Sequence, residues 1–409
     1  MHLVETRKRQ ASTLLGAIVI QVVATANTLA FPVLVPSLPG GASGLIGPFM
    51  MVLYAGAMVG AGVSGGMIAR MGPVRASQFS LLLQVLGLSC IALAGVFASA
   101  SAVILVMHWV GAFICGFAYG PITPASAQML MRIATPERSS FVFSLKQTGV
   151  PMGGLLVGLT LPPIASSVDW LAGFMAMAVL TCLTIVLVNP LVDFHDRAVA
   201  THAADSDQTK HNVSKGGSIQ AIVTILRDPQ WRSVAIESLL FSVCQLCVGS
   251  FLMVYLHQEV KFDPIEAGRI YALTQFAGIV GRLGWGRLAD VFGSPTHILR
   301  VLALIMVVSV FVTGFFSTSW PLWLMLVVVT VLGGTAIGWN GVFLGEIARR
   351  TQHGSIASVT GGVLVFTYVG VVIGPVLFGY AGMLLGGLGH AFMLLTLVPL
   401  AALVLLCRR

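Results

Sequence analysis

The sequence predicts an all-α integral membrane protein with twelve transmembrane helices in two halves of six. Three observations carry that prediction. Apolar runs of about 20 residues recur along the chain, one long polar segment interrupts it near the middle, and short patterns return after a nearly constant interval. Hydrophobic residues make up 57% of the 409, charged residues 9%, and the mean hydropathy is +0.95. Soluble domains carry about a quarter charged residues.

Twelve spans are read at 12–35, 46–69, 74–98, 103–131, 139–163, 169–190, 231–256, 265–291, 297–317, 322–348, 355–384 and 388–407. The first follows Arg7-Lys8-Arg9 and offers Ala24-Thr25-Ala26 as a leader-type cleavage site. Its apolar run is longer than a secretory core and matches the other spans, so an uncleaved first helix is expected. The polar segment, with its HDRAVATHAADSDQTKHNVSKGG core, has too few large apolar residues to fold alone and reads as a flexible linker. The division is then 1–192 for the first half, 193–230 for the linker and 231–409 for the second.

Charge placement orients the bundle. Of 22 Lys and Arg, two (Lys261 and Arg269) fall in outward segments if both termini are cytoplasmic, and two (Lys146 and Arg282) fall within spans. The other eighteen fall on the inner side, the bias that orients membrane helices. The net charge of +8 is thus a topology signal, not a nucleic-acid footprint. Compact loops suggest a bacterial inner membrane. Of the six cysteines, Cys244 and Cys247 have metal-like spacing but no second pair or histidine partner, and read as ordinary buried cysteines. No metal or cofactor is expected. Asn212-Val213-Ser214 is formally a glycosylation sequon, of little weight in a cytoplasmic linker.

The halves echo each other. Gly65-Gly-Met-Ile-Ala69-Arg70-Met-Gly72 returns 221 positions later as Gly286-Arg-Leu-Ala-Asp290-Val-Phe-Gly293, and Gly120 matches Gly341 at the same interval. Pro151 in span 5 has a counterpart in Pro375 in span 11, 224 residues on. Internal repetition is a recurring design in secondary transporters, whose substrate sites lie near the bilayer midplane. Gly60-Ala61-Gly62-Val63-Ser64-Gly65 spells a dinucleotide fingerprint, but it lies inside an apolar span rather than after a strand. Small residues there let membrane helices approach.

On these residues the chain resembles the major facilitator superfamily over essentially its whole length. The loop after span 8 matches the family's Gly-x-Leu-Ala-Asp signature through Gly286, Asp290 and Gly293. The loop after span 2 keeps Gly65, Arg70 and Gly72 but has Ala69 in the aspartate place. The resemblance implies a major facilitator fold, alternating access, and Asp290, Gly286, Gly293 and Arg70 as a conformational latch. Arg282, in a Gly-Arg-x-x-x-Gly-x-x-x-Asp context, also resembles the oxalate–formate antiporter and monocarboxylate transporter branch, where such an arginine holds the substrate carboxylate. That pattern adds a lysine on span 11, which is absent here, and Lys146 on span 5 is the candidate to stand in. By the family's arrangement, spans 5 and 8 face one cavity.

Arg282 lies eight residues before Asp290, about 12 Å deeper along a helix, and Lys146 lies eight residues beyond Arg138. A charge at such depth needs a partner or a wet cavity. Two readings stand for Arg282: a structural tie, for instance to Glu346, or an anion-binding guanidinium that grips a carboxylate with parallel hydrogen bonds. Tyr271, Gln275, Gly278 and Arg282 recur at helical spacings and suggest a water-facing stripe. For Lys146 the alternative is snorkelling to the interface. Gln21, Thr25 and Thr28 with Asn27 on span 1, Trp339 and Asn340 on span 10, and Tyr368 on span 11 are further substrate-binding candidates. Each is equally readable as interhelical hydrogen bonding. Glu346, Glu237 and His108 are the proton-coupling candidates, Glu346 also standing in salt-bridge range of Arg350.

The expected function is a secondary active transporter that moves a small organic anion, a mono- or dicarboxylate, with protons, acting as a monomer in the lipid bilayer. The alternative is a proton-driven exporter of drugs or metabolites, although span 1 lacks the acidic anchor a cationic drug would need. A membrane enzyme would require converging catalytic groups at depth, and His108 alone does not supply them. A transporter-like receptor would bind without flux.

Overall fold

The computed structural model describes residues 2–38, 42–96, 102–133, 139–196, 225–350 and 356–409. Most of the predicted linker, including Asn212, lies outside them. The described residues are helical, with α1 His2–Leu34, α2 Ile46–Met71, α3 Pro73–Val96, α4a Ala102–Tyr119, α4b Ile122–Met131, α5a Ser139–Gln147, α5b Gly149–Ser167 and α6 Trp170–Leu187. After the linker come α7 Pro229–Gln258, α8 Pro264–Phe292, α9 Pro295–Thr313, α10a Leu322–Ala336, α10b Asn340–Arg350, α11 Ile356–Leu385, α12a Leu388–Leu395 and α12b Leu397–Cys407.

Eleven spans among the described residues are long and apolar enough to cross a membrane. The helix outside that set is α8, which is long enough but carries Tyr271, Gln275 and Arg282 in its middle. Four expected spans are interrupted: span 4 at 120–121, span 5 at Thr148, span 10 at 337–339 and span 12 at Thr396. Apolar periodicity does not register such breaks, because the hydrophobic content continues through them.

The chain divides into two compact units, Met1–Gly41 with Val52–Thr209, and Ala42–Met51 with Lys210–Arg409. In the first unit α2 packs on α4 through glycine. A Cβ on Gly60 would strike the Phe117 carbonyl, and one on Gly116 the Leu53 carbonyl, while Gly62 and Gly65 face open space. The second unit repeats the device: Gly281, 221 residues after Gly60, abuts the Gly334 backbone, and Gly333 abuts Thr274, the residue 221 after Leu53. The Gly-x-Gly-x-x-Gly run is thus a helix contact built on Gly60, and small residues make it because they let two backbones touch. Gly149 and Gly153 do the same for α5b, bringing it against Gln21 and Val22 of α1.

Helix ends are capped from far away in sequence. Asp196 accepts hydrogen bonds from Val74 N and Arg75 N, 2.9 Å each, at the start of α3. There Gly72 turns with φ +83° and the Asp196 side chain fills the space a Cβ would need. Glu259, at the end of α7, accepts from Leu388 N and Gly389 N of α12a. Each carboxylate satisfies amides that a helix start leaves without partners.

Candidate functional site

One polar cluster forms inside the first unit, around the two helix interruptions there. Lys146 sits at the end of α5a, two residues before Thr148, and is buried. Its Nζ donates to Gln21 Oε1 at 2.7 Å, with Thr123 Oγ1 at 3.4 Å. A lysine only donates, so the facing Gln21 atom is the amide oxygen. Gln21 Nε2 then donates to Thr25 Oγ1 (3.1 Å) and to the Tyr119 hydroxyl (3.2 Å). Tyr119 ends α4a and Thr123 lies in the first turn of α4b, so Lys146 draws together α1, α5 and both pieces of span 4. The buried cation is held by these side-chain acceptors.

Span 10 carries the matching cluster in the second unit. Where α10a stops at Ala336, backbone carbonyls lose their helical donors, and inside a bilayer they must be satisfied from elsewhere. Side chains of α8 do so: Arg282 Nε donates to Ile337 O at 2.9 Å and Trp285 Nε1 to Gly334 O at 2.9 Å. On the α7 side, Gln245 Oε1 accepts from Trp339 Nε1 and Asn340 Nδ2, both at 2.9 Å. Trp339 is buried, lies parallel to Phe241 at 5.2 Å and meets Phe343 edge-on. It is enclosed by the protein's own rings. The Ile337 carbonyl is the structural tie for Arg282.

The other sequence-predicted residues are placed as follows. Tyr271 is fully buried and donates to Gly249 O at 3.0 Å, and buried Gln275 hydrogen-bonds to Tyr271. The stripe on α8 therefore divides: Tyr271 ties α8 to α7, Gln275 bonds Tyr271 within α8, and Arg282 reaches the α10 break. Asn27 lies apart from the Lys146 cluster: its Nδ2 donates to Gln84 Oε1 and Thr181 Oγ1, 3.0 Å each, tying α1 to α3 and α6. Thr28 turns back on its own helix, donating to Thr25 O. Tyr368 is half-buried on α11, next to Thr367, which donates to Ser238 Oγ at 3.1 Å. His108 is buried, edge-on to Phe31 at 4.7 Å and to Trp109 at 5.2 Å.

Glu237 and Glu346 share one ion cluster. Glu346 Oε1 takes Arg350 Nε, Arg409 Nη2 at 3.1 Å and Thr296 Oγ1 at 2.7 Å. Arg409 Nη1 also pairs with Glu237, whose other oxygen accepts from Ser233 at 2.9 Å. Helices α7, α9, α10b and the end of the chain are joined there. Asp290 meets Arg349 at 3.5 Å with its side chain 83% exposed, a geometry that contributes little by itself. Arg349 also donates to Gly293 O, and Gly293 ends α8 with φ +67°. Arg70 is exposed at the end of α2, and Gly286 faces open space.

Sequence reasoning passed over Gln245, Thr123, Tyr119, Trp285 and Asp196. An isolated glutamine in an apolar span was the available signal for Gln245. Among the described residues, no three His, Cys, Asp or Glu side chains are grouped to hold a metal ion. Cys244 and Cys247 are buried in α7.

Long apolar helices, with a buried cation bonded beside a helix interruption in each unit, describe a polytopic membrane protein. Residues 13–364 match the family model of the Major Facilitator Superfamily, and the chain belongs to that family. It is 26% identical over 214 residues to an uncharacterized MFS-type transporter of Mycobacterium tuberculosis, in strains CDC 1551 and H37Rv alike. That match covers 52% of this chain and 45% of the relative, so the chain spans about half the length of the curated relatives it matches. In fold it is similar to a nucleoside transporter (TM-score 0.72, 12% identity, 96% and 99% of the two chains covered). It is similar also to the E. coli fucose:proton symporter (TM-score 0.62, 16% identity, 97% and 98% covered). A POT family transporter in complex with 5-aminolevulinic acid matches with TM-score 0.70 at 11% identity, covering 97% and 95%.

Proposed function

We propose that the protein is a secondary active transporter that moves a small organic anion, a mono- or dicarboxylate, by alternating access with protons. The observation that carries this reading is that each intramembrane cation adjoins an interruption in a helix. Lys146 stands at the break of span 5 and Arg282 binds the Ile337 carbonyl at the break of span 10. Interrupted helices at depth are where transporters of this construction bind substrate and coupling ions. A buried guanidinium or ammonium beside such a break suits an oxygen ligand of opposite charge, a carboxylate. Both termini and the arginine-rich helix ends would face the cytoplasm, of a bacterial inner membrane.

Proton coupling is assigned to the Glu346–Glu237 cluster, because a proton on either carboxylate weakens its hold on Arg409 and frees α10b from α7. His108 is packed against the rings of Phe31 and Trp109.

The test is a thermal-shift screen of the purified protein against mono-, di- and tricarboxylates, run beside Arg282→Ala. A ligand that binds the native state raises apparent stability by mass action. Stabilisation of the parent by one class of carboxylate, lost in a folded Arg282→Ala, supports the anion reading. Equal shifts in both proteins make Arg282 structural only. Stabilisation by cations instead favours the exporter.

A further inference from the structure

Gln245 stands out in α7. From 241 to 256 every other residue is buried, and Gln245 alone is partly exposed. Its orientation is settled chemically. The Trp339 indole can only donate, so the atom facing it at 2.9 Å is Oε1. The same oxygen takes Asn340 Nδ2 at 2.9 Å. Both lone-pair directions of Oε1 are thus used by donors from the start of α10b. The Nε2 group, with two N–H donors, is turned away from them, and no described residue accepts from it. Asn340, having spent Nδ2 on Gln245, is left with Oδ1 as its side-chain acceptor on a partly exposed residue. A donor pair and an acceptor therefore lie side by side at the residues that follow Ile337, whose carbonyl holds Arg282.

We propose that Gln245 and Asn340 form a second substrate subsite beside Arg282, one that takes an uncharged group able both to accept and to donate, a hydroxyl or a carboxamide. This rests on the organic-anion reading and sharpens it: the substrate is a bifunctional acid, carboxylate toward Arg282 and hydroxyl or amide toward the Gln245–Asn340 pair. An unsubstituted acid leaves those polar atoms without partners, which is how sites built for hydrogen bonding reject analogues that lack the group.

The test compares matched pairs in the thermal-shift assay: glycolate with acetate, mandelate with phenylacetate, and succinamate with butyrate. They are read on the parent, Arg282→Ala, Gln245→Glu and Asn340→Ala. Gln245→Glu keeps oxygens for Trp339 and Asn340 and removes the donors, and the charge it adds acts alike on both acids of a matched pair, so a purely structural glutamine would leave the preference within each pair unchanged. The expected result is at least about tenfold tighter apparent binding of one substituted acid over its partner. That preference falls to near unity in Gln245→Glu or Asn340→Ala, whichever stays folded. The subsite is overturned if substituted and unsubstituted acids bind alike to the parent and are both lost in Arg282→Ala, an outcome that leaves the anion reading standing. It is overturned also if both folded variants keep the parent's preference. If no carboxylate stabilises the parent, the anion reading and the subsite fall together.

Discussion

At the scale of single residues, buried polar groups are placed where a main-chain or side-chain partner must be satisfied. Asp196 is the plainest case. Burial raises its carboxyl above the usual carboxylate range, against the pull of the Val74 and Arg75 amides. A raised folded-state value means that the folded chain binds its proton more tightly than the unfolded chain does. The contribution of this group to stability is therefore most favourable below the unfolded value near 4 and declines as pH rises through the folded value. Asp196→Asn keeps one acceptor and discards the buried charge, while Asp196→Ala removes the cap. Chemical denaturation is expected to show Asp196→Ala destabilised by about 0.5–2 kcal/mol and Asp196→Asn by less. The gap between Asp196→Asn and the parent should narrow as pH rises from 4 to 7. A parent that gains stability relative to Asp196→Asn over that interval would show the sign to be wrong.

Lys146 belongs to the same scale. Lys146→Met removes the 2.7 Å donor to Gln21 Oε1 and leaves that buried acceptor only the 3.4 Å contact from Thr123 Oγ1, a cost of about 1–3 kcal/mol. If Lys146 also meets the substrate, Lys146→Arg restores folding but not transport, because a planar fork replaces a compact ammonium. Full transport by Lys146→Arg would confine the residue to holding α1 and α5 together.

Among elements, the interruptions and the glycine contacts decide how spans meet. Gly60 and Gly281 touch backbone of the paired helix, whereas Gly65 and Gly286 face open space. Gly60→Leu and Gly281→Leu have no flexible side chain to push aside and should each cost about 1–3 kcal/mol or prevent assembly. Gly65→Ala and Gly286→Ala should change the melting temperature little. Size-exclusion profiles and melting curves of the four variants in detergent separate the two pairs, and equal tolerance at all four positions would refute the contact. Twelve spans were legible because bilayer thickness fixes their length. Their interruptions were not, since the apolar run through Ile337–Gly338–Trp339 reads as uninterrupted helix. Only packing of Arg282, Trp285 and Gln245 around the freed carbonyls and indole holds it open.

For the molecule as a whole, the Glu346 cluster carries the prediction about coupling. Glu346→Gln keeps an acceptor for Thr296 but drops the charge that binds Arg350 and Arg409. In proteoliposomes it is expected to retain exchange of substrate across the membrane and to lose accumulation driven by a pH gradient. Intact gradient-driven accumulation in Glu346→Gln would remove the cluster from the coupling path.

The sequence by itself determined the membrane class, the series of apolar spans, the 221-residue repeat and the two cations set within apolar stretches. Each of these follows from composition and spacing, which the bilayer constrains without reference to neighbours. Tertiary structure decided which polar residues act together. It turned Asn27 and Tyr271 to helix-to-helix bonds and Thr28 and Gln275 to bonds within their own helices, enclosed Trp339 between Phe241 and Phe343, and brought forward Thr123, Gln245 and Asp196. The physical reason is that a buried donor or acceptor takes its character from the group it meets. Those meetings lie 57 to 154 residues apart along this chain for Asn27 alone, beyond the reach of any local pattern.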